Sequence, residues 1–154
     1  MKTTNLVRFF LCVLTLAWSL FSAAAEVRQP IVAGDIELFY GVMPAPVLLA
    51  HPSDHAERTM HGGARLSRNS YHLVVSIFDT KKRERVADAQ VQASVSEPGL
   101  APQTKPLQSM TMAGVITYGN YFTMSGAGPF RIMLDIKRPH GGAPVQTGFE
   151  HRHR

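Results

Sequence analysis

The side chains with the most chemical reach in this 154-residue chain are its imidazoles and thioethers. Seven histidines are present, and six methionines follow Met1. His51, His55, Met60 and His61 fall within one short stretch. The His-x-x-x-His spacing places two rings on one face if that stretch is helical. Met60 and His61 add a thioether and a third imidazole. Imidazole suits Cu(II), Zn and Ni, whereas thioether favours Cu(I), so a mixed set without thiolate points to copper. The competing reading is a polar loop that happens to contain histidines. His72 lies in the most apolar segment of the chain, where it is either a hydrogen-bonded structural residue or a further ligand to the same ion.

Two other groups have weaker signatures. Met110 and Met112 are two residues apart and share a face on a strand, with Met124 at the end of the next strand. They are either a thioether site or core filling, a use to which methionine is well suited. His151 and His153 flank Arg152 and on a strand would share the face of Val145 and Phe149, a His-x-His pair able to clamp a borderline metal; a solvated chain end is the default reading. No nucleophile elbow, phosphate-binding loop or His-Glu-x-x-His helix occurs, and no acid–base pair stands out, so no enzymatic activity is expected.

These residues need elements to position them, and the first segment is not one of them. Lys2 and Arg8 precede an apolar run over 9–21 that ends in Ser22-Ala23-Ala24-Ala25. That layout is a secretory signal, too short in its apolar part for the roughly 20 residues that span a bilayer. Cleavage after Ala25 leaves a single domain over 26–154 in the periplasm or outside the cell, with no transmembrane segment. The sole cysteine, Cys12, departs with the signal, so the mature domain has neither disulfide nor thiolate chemistry. The formal charge of +5 becomes 14 basic against 11 acidic side chains once Lys2 and Arg8 are removed. The remaining charges alternate in sign, as over 79–85, which reads as a solvated turn and excludes a nucleic-acid surface.

Period-2 alternation dominates the rest. Ala89, Val91, Ala93 and Val95 alternate with polar residues, as do Phe130, Ile132, Leu134 and Ile136. Strands are expected over 36–42, 71–78, 89–95, 105–112, 115–124, 130–136 and 145–151. The segment 71–78 is apolar on nearly both faces and belongs near the middle of a sheet. Turn formers separate the strands at Glu97-Pro98-Gly99, at 126–129 and at 139–142. The segment 48–69 is a long His- and Gly-rich loop, with a short helix capped by Ser53 over 53–60. The connection 100–105 suits a crossing between sheets. Tyr118-Gly119-Asn120-Tyr121 reads as a bulge or tight turn with a tyrosine on either side. The expected fold is all-β, an immunoglobulin-like antiparallel β-sandwich of about seven strands.

Two stretches resemble periplasmic accessory β-sandwich proteins of the FixH and YtkA-like kind. Tyr71-His72-Leu73-Val74-Val75-Ser76-Ile77-Phe78-Asp79, followed by Val86-Ala87-Asp88-Ala89-Gln90-Val91, is similar to their strand, turn and alanine-valine strand. Met110-Thr111-Met112-Ala113-Gly114, Tyr118-Gly119-Asn120-Tyr121 and Gly128-Pro129-Phe130-Arg131-Ile132 are similar to their methionine segment, glycine-tyrosine strand and final strand. The likeness covers about 70–138 and implies metal handling or assembly of metal-containing membrane complexes. The chain departs from the FixH pattern in lacking a retained membrane helix, and 43–63 has no counterpart. The combined expectation is an exported copper carrier or chaperone-like accessory that binds through His51, His55, Met60, His61 and His72. An envelope or membrane protein is its expected partner. The alternative is an envelope interaction module without metal, using a sheet edge or the 118–122 patch.

Overall fold

The computed structural model describes residues 29–49, 67–112, 114–140 and 142–153, without the side chains of 48 and 49. The expected signal at 1–25 lies outside those residues, as do His51, His55, Met60 and His61 of the expected loop and the expected helix at 53–60. Among the described residues no helix is long and apolar enough to cross a membrane.

Nine antiparallel strands and one short helix make up the described chain: β1 (Ile31–Ala33), β2 (Ile36–Pro44), α1 (Ala45–Leu49), β3 (Ser70–Asp79), β4 (Glu84–Arg85), β5 (Gln90–Ser96), β6 (Gln103–Met112), β7 (Val115–Thr123), β8 (Phe130–Lys137) and β9 (Val145–His151). The all-β expectation holds, and each of the seven expected strands is present within two residues at either end. β1 and β4 are additional. They are too short for a period to show, and β4 is where the solvated turn at 79–85 returns to pair with β3. α1 was not expected; Pro46 sits in its first turn, where a missing N–H costs nothing.

The strands follow the order β1-β2-β3-β7-β6-β5-β8-β9. β3 pairs with both β2 and β7, the central place that its two apolar faces require. The crossing between sheets is in β6 itself and not in the connection before it. Residues 103–107 pair with β5, and residues 108–112 pair with β7. Pro106, which has no N–H to give a ladder, sits just before the switch. Where β6 leaves β7, side chains take over the abandoned backbone groups. Lys105 Nζ donates to Tyr121 O at 2.7 Å. The Gln103 amide donates to Thr123 O at 2.7 Å and accepts from Thr123 N at 3.2 Å.

The sheet doubles over so that its ends approach, with Tyr40 of β2 stacked on Phe149 of β9 at 3.6 Å. Between the layers lie Ile36, Leu38, Leu73, Val75, Ile77, Val91, Ala93, Val95, Tyr118, Phe122, Phe130, Ile132, Leu134 and Ile136, all essentially buried. Alternation puts each on one face of its strand, and that face is the core. Tyr118 also fastens the layers to the β4–β5 connection. Its hydroxyl donates to Val86 O and accepts from Ala89 N, both at 2.9 Å. At one end of the sandwich Arg138 bonds Asp35 at 2.6 Å and Asp79 at 3.2 Å, tying the β1–β2 turn and the end of β3 to the end of β8.

Candidate metal centre

Strand parity divides the candidate ligands between two faces. In β3, Leu73, Val75 and Ile77 point into the core, so His72, Val74, Ser76 and Phe78 lie on the opposite face. His72 is nonetheless fully buried. It stands opposite Met43 of β2 on one side and Tyr121 of β7 on the other. Its ring stacks on Tyr121 with centroids 4.6 Å apart. Met110 of β6 pairs with Thr117 and shares this face; both are buried there, away from the core.

Gly119 explains how the imidazole and the thioether come together. It sits opposite Val74 in β3 and Gln108 in β6, on the face of His72. A Cβ at this position would stand 2.5 Å from Met110 Cε, 2.9 Å from His72 Nε2 and 3.0 Å from Leu73 O. The missing methyl is therefore the space that Met110 and His72 occupy. The segment 118–121 is neither bulge nor turn but unbroken strand, with Tyr118 in the core and Tyr121 on the other face. The 118–122 patch is no exposed aromatic surface, because Tyr118, Gly119 and Phe122 are buried.

The expected thioether trio does not assemble. Met124 is buried in the core with Tyr118 and Phe122, on the face opposite to Met110. Pairing of Met110 with His72 was missed because it depends on the β6–β7 register, which no local pattern encodes. The small residue at 119 between two tyrosines was the available signal. The C-terminal histidines are also not a solvated tail. His151 ends β9 and is buried, and His153 stacks on Tyr71 at 4.2 Å with a ring angle of 14°. Among the described residues no three His, Cys, Asp or Glu side chains are grouped to hold a metal ion.

A separate concavity of about 440 Å³ lies at the Arg138 end, lined by Asp35, Asp79, Arg85, Asp88 and His140 among others. Asp79 there is held below the usual carboxylate range, chiefly because its side chain accepts the backbone N–H of Lys82, with further help from Lys81 N–H and Arg138. It is seven residues along β3 from His72, or roughly 23 Å at strand spacing, and plays no part in that site.

No family model matches the sequence, and no curated protein matches it. Solved structures do match in fold. A copper-bound variant of FetP from uropathogenic Escherichia coli superposes with a TM-score of 0.62 at 15% identity, covering 82% of this chain and 94% of that one. The copper-reconstituted P19 protein of Campylobacter jejuni gives 0.63 at 14% identity, with 82% and 93% covered. A DUF4426 family protein of Pseudomonas aeruginosa gives 0.61 at 16% identity, with 83% and 95% covered. At such identities the likeness is one of fold. It extends over nearly the whole of each neighbour and identifies the chain's architecture as theirs.

Proposed function

We propose that the protein is an exported copper-binding accessory of the cell envelope, a carrier or chaperone-like protein and not a catalyst. The observation that carries this reading is the convergence of His72 Nε2 and the Cε end of the Met110 side chain over Gly119, buried on the face away from the core. One nitrogen and one soft sulfur donor without thiolate fit copper in either oxidation state. The fold neighbours FetP and P19 were crystallised with copper, which supports the same cargo here. In this reading His51, His55, Met60 and His61 complete the donor set around His72, and the segment 1–25 directs the chain to the periplasm. The accessory role and an envelope or membrane partner rest on the likeness to FixH and YtkA-like proteins at 70–138. Exchange of a soft ion between thioether and imidazole allows uptake and release with no redox work by the protein.

Calorimetric titration with Cu(I) and with Cu(II) tests the reading. A tight site that depends on His72 is expected, weakened at least about tenfold in His72→Phe and in Gly119→Ala, consistent with what the loss of a ligand or its support does to metal affinity. A His51/His55/His61 alanine triple should abolish it. Absence of binding tighter than about 1 mM, or about −4 kcal/mol, would refute the carrier and leave an interaction module. The surface that such a module would offer is the exposed Phe39, edge-on to Phe78 at 5.5 Å with the Arg85 guanidinium over the Phe78 ring at 4.4 Å.

A further inference from the structure

The C-terminal histidines occupy the core side of β3, behind the His72 face, and nothing in the proposed function uses them. Tyr71 points inward where its neighbour His72 points outward, and the His153 ring lies flat on Tyr71. Phe130 forms a second wall, 4.8 Å from His153 and 6.5 Å from His151. The two imidazole centroids are 5.3 Å apart with their planes 72° from parallel.

The hydrogen bonding of His153 settles which nitrogen is which. Nε2 lies 3.2 Å from the carbonyl oxygen of Met124, which can only accept, so Nε2 carries the proton. In the neutral ring Nδ1 then keeps its lone pair, and this atom is buried and without a hydrogen-bond partner among the described residues. A ring nitrogen donating to a backbone carbonyl while the other presents a bare lone pair is the arrangement of a metal-ligating histidine. The spacing agrees. Two imidazoles bound to one tetrahedral ion at about 2.0–2.1 Å per nitrogen have their ring centres about 5 Å apart.

We infer that His151 and His153 form a second metal site, separate from His72 and Met110, for a borderline divalent cation such as Zn(II). Nδ1 of His153 and the His151 imidazole are its protein ligands, and Met124 O fixes the His153 ring. Two nitrogen donors do not fill the coordination shell of such an ion, so its remaining positions fall to water or to another ligand. Tyr71 and Phe130 hold the rings in place by packing, and the site needs no residue of the segment 50–66. It stands or falls independently of the copper reading.

Zn(II) titration of the protein, followed by calorimetry and by the side-chain nitrogen resonances of the histidines, tests the site. Zn(II) should shift the ring-nitrogen signals of His151 and His153. The affinity of that site should fall about thirtyfold or more in His153→Phe, which keeps an aromatic ring against Tyr71 and Phe130 while removing the ligand. It should be unchanged in His72→Phe, the variant that reports on the other site. Resonances of His151 and His153 that stay fixed at saturating Zn(II) overturn the inference. Zn(II) affinity in His153→Phe within threefold of the unaltered protein does the same. If His153→Phe does not fold, the resonance shifts of the unaltered protein decide alone.

Discussion

Removing one oxygen atom from the core tests the packing logic most directly. Tyr118 is 1% exposed, and its hydroxyl is held at both ends by backbone, donating to Val86 O and accepting from Ala89 N. Tyr118→Phe keeps the ring and leaves both backbone groups without that partner. Each fully buried orphan costs about 1–3 kcal/mol. Val86 is at the margin of the core and Ala89 is half-buried, so the low end applies to each. The sum is about 2–3 kcal/mol. For a domain of this length, 1 kcal/mol moves Tm by about 4 °C, so the expected fall is about 10 °C by calorimetry or circular dichroism. The pH dependence supplies a second reading. Burial is the main force pushing the Tyr118 phenol above its ordinary value, and the negative charge of Asp88 adds to it against the opposing Ala89 N–H. Below pH 10 the phenol is protonated in both folded and unfolded chains, and its contribution is fully present. Above that the unfolded chain loses the proton first, so stability declines as pH rises through the folded value. Tyr118→Phe should flatten that part of the alkaline limb. A variant that melts within 2 °C of the unaltered protein, with the same alkaline limb, would show that the hydroxyl is not the tie between β7 and the β4–β5 connection.

Three further outcomes follow from the same geometry. Arg138→Ala removes the guanidinium that Asp35 and Asp79 share, and should lower the midpoint of denaturant unfolding. Arg138→Lys should not restore it, because one ammonium cannot reach Asp35 and Asp79 as a planar fork does. Asp79, whose folded value lies below the ordinary 3.8, contributes stability that is present above that pH and fades as pH falls through the folded value. Asp79→Asn should therefore lose the corresponding part of the acid limb in thermal melts between pH 5 and pH 2. Gly119→Ala forces a methyl against Leu73 O, which cannot swing aside as Met110 can, and should cost about 1–3 kcal/mol of stability besides its effect on copper.

The strands were legible because seven of them are long enough for alternation to repeat, and β3 showed its central place by being apolar on both faces. What escaped has specific causes. β1 and β4 span three and two residues, too few to carry a period. The sheet crossing was expected in the connection 100–105, where turn residues gather, yet β6 makes it without interrupting its strand, and only its changing partners reveal it. Met124 closes the expected strand that follows Met110, and adjacent strands suggest neighbouring thioethers. The β7 register sends them to opposite faces, which separates thioether from thioether and joins Met110 to an imidazole instead. The tail at 151–153 read as solvated because chain ends usually are. Here two aromatic walls, Tyr71 and Phe130, give the rings something to stack on, and those walls come from β3 and β8, far away in sequence.

Both metal readings meet at a single peptide bond, the one between Tyr71 and His72. Successive strand residues point to opposite faces, so that bond sends a wall for one site inward and a ligand for the other outward. A one-residue slip of β3 would exchange them and dismantle both at once. β2 on one side and β7 on the other hold the register across Tyr71 and His72, so neither side chain is free to shift along the sheet. His72, held on such a strand, loses little further freedom when an ion binds. The two proposed sites draw on different segments, the copper site on 51–61 as well as β3 and the Zn(II) site on His151 and His153. Copper affinity at His72 should respond to substitutions throughout 51–61, and Zn(II) affinity at His153 should be indifferent to them. A His51/His55/His61 triple that weakened both sites equally would show that the two faces of β3 do not bind separately.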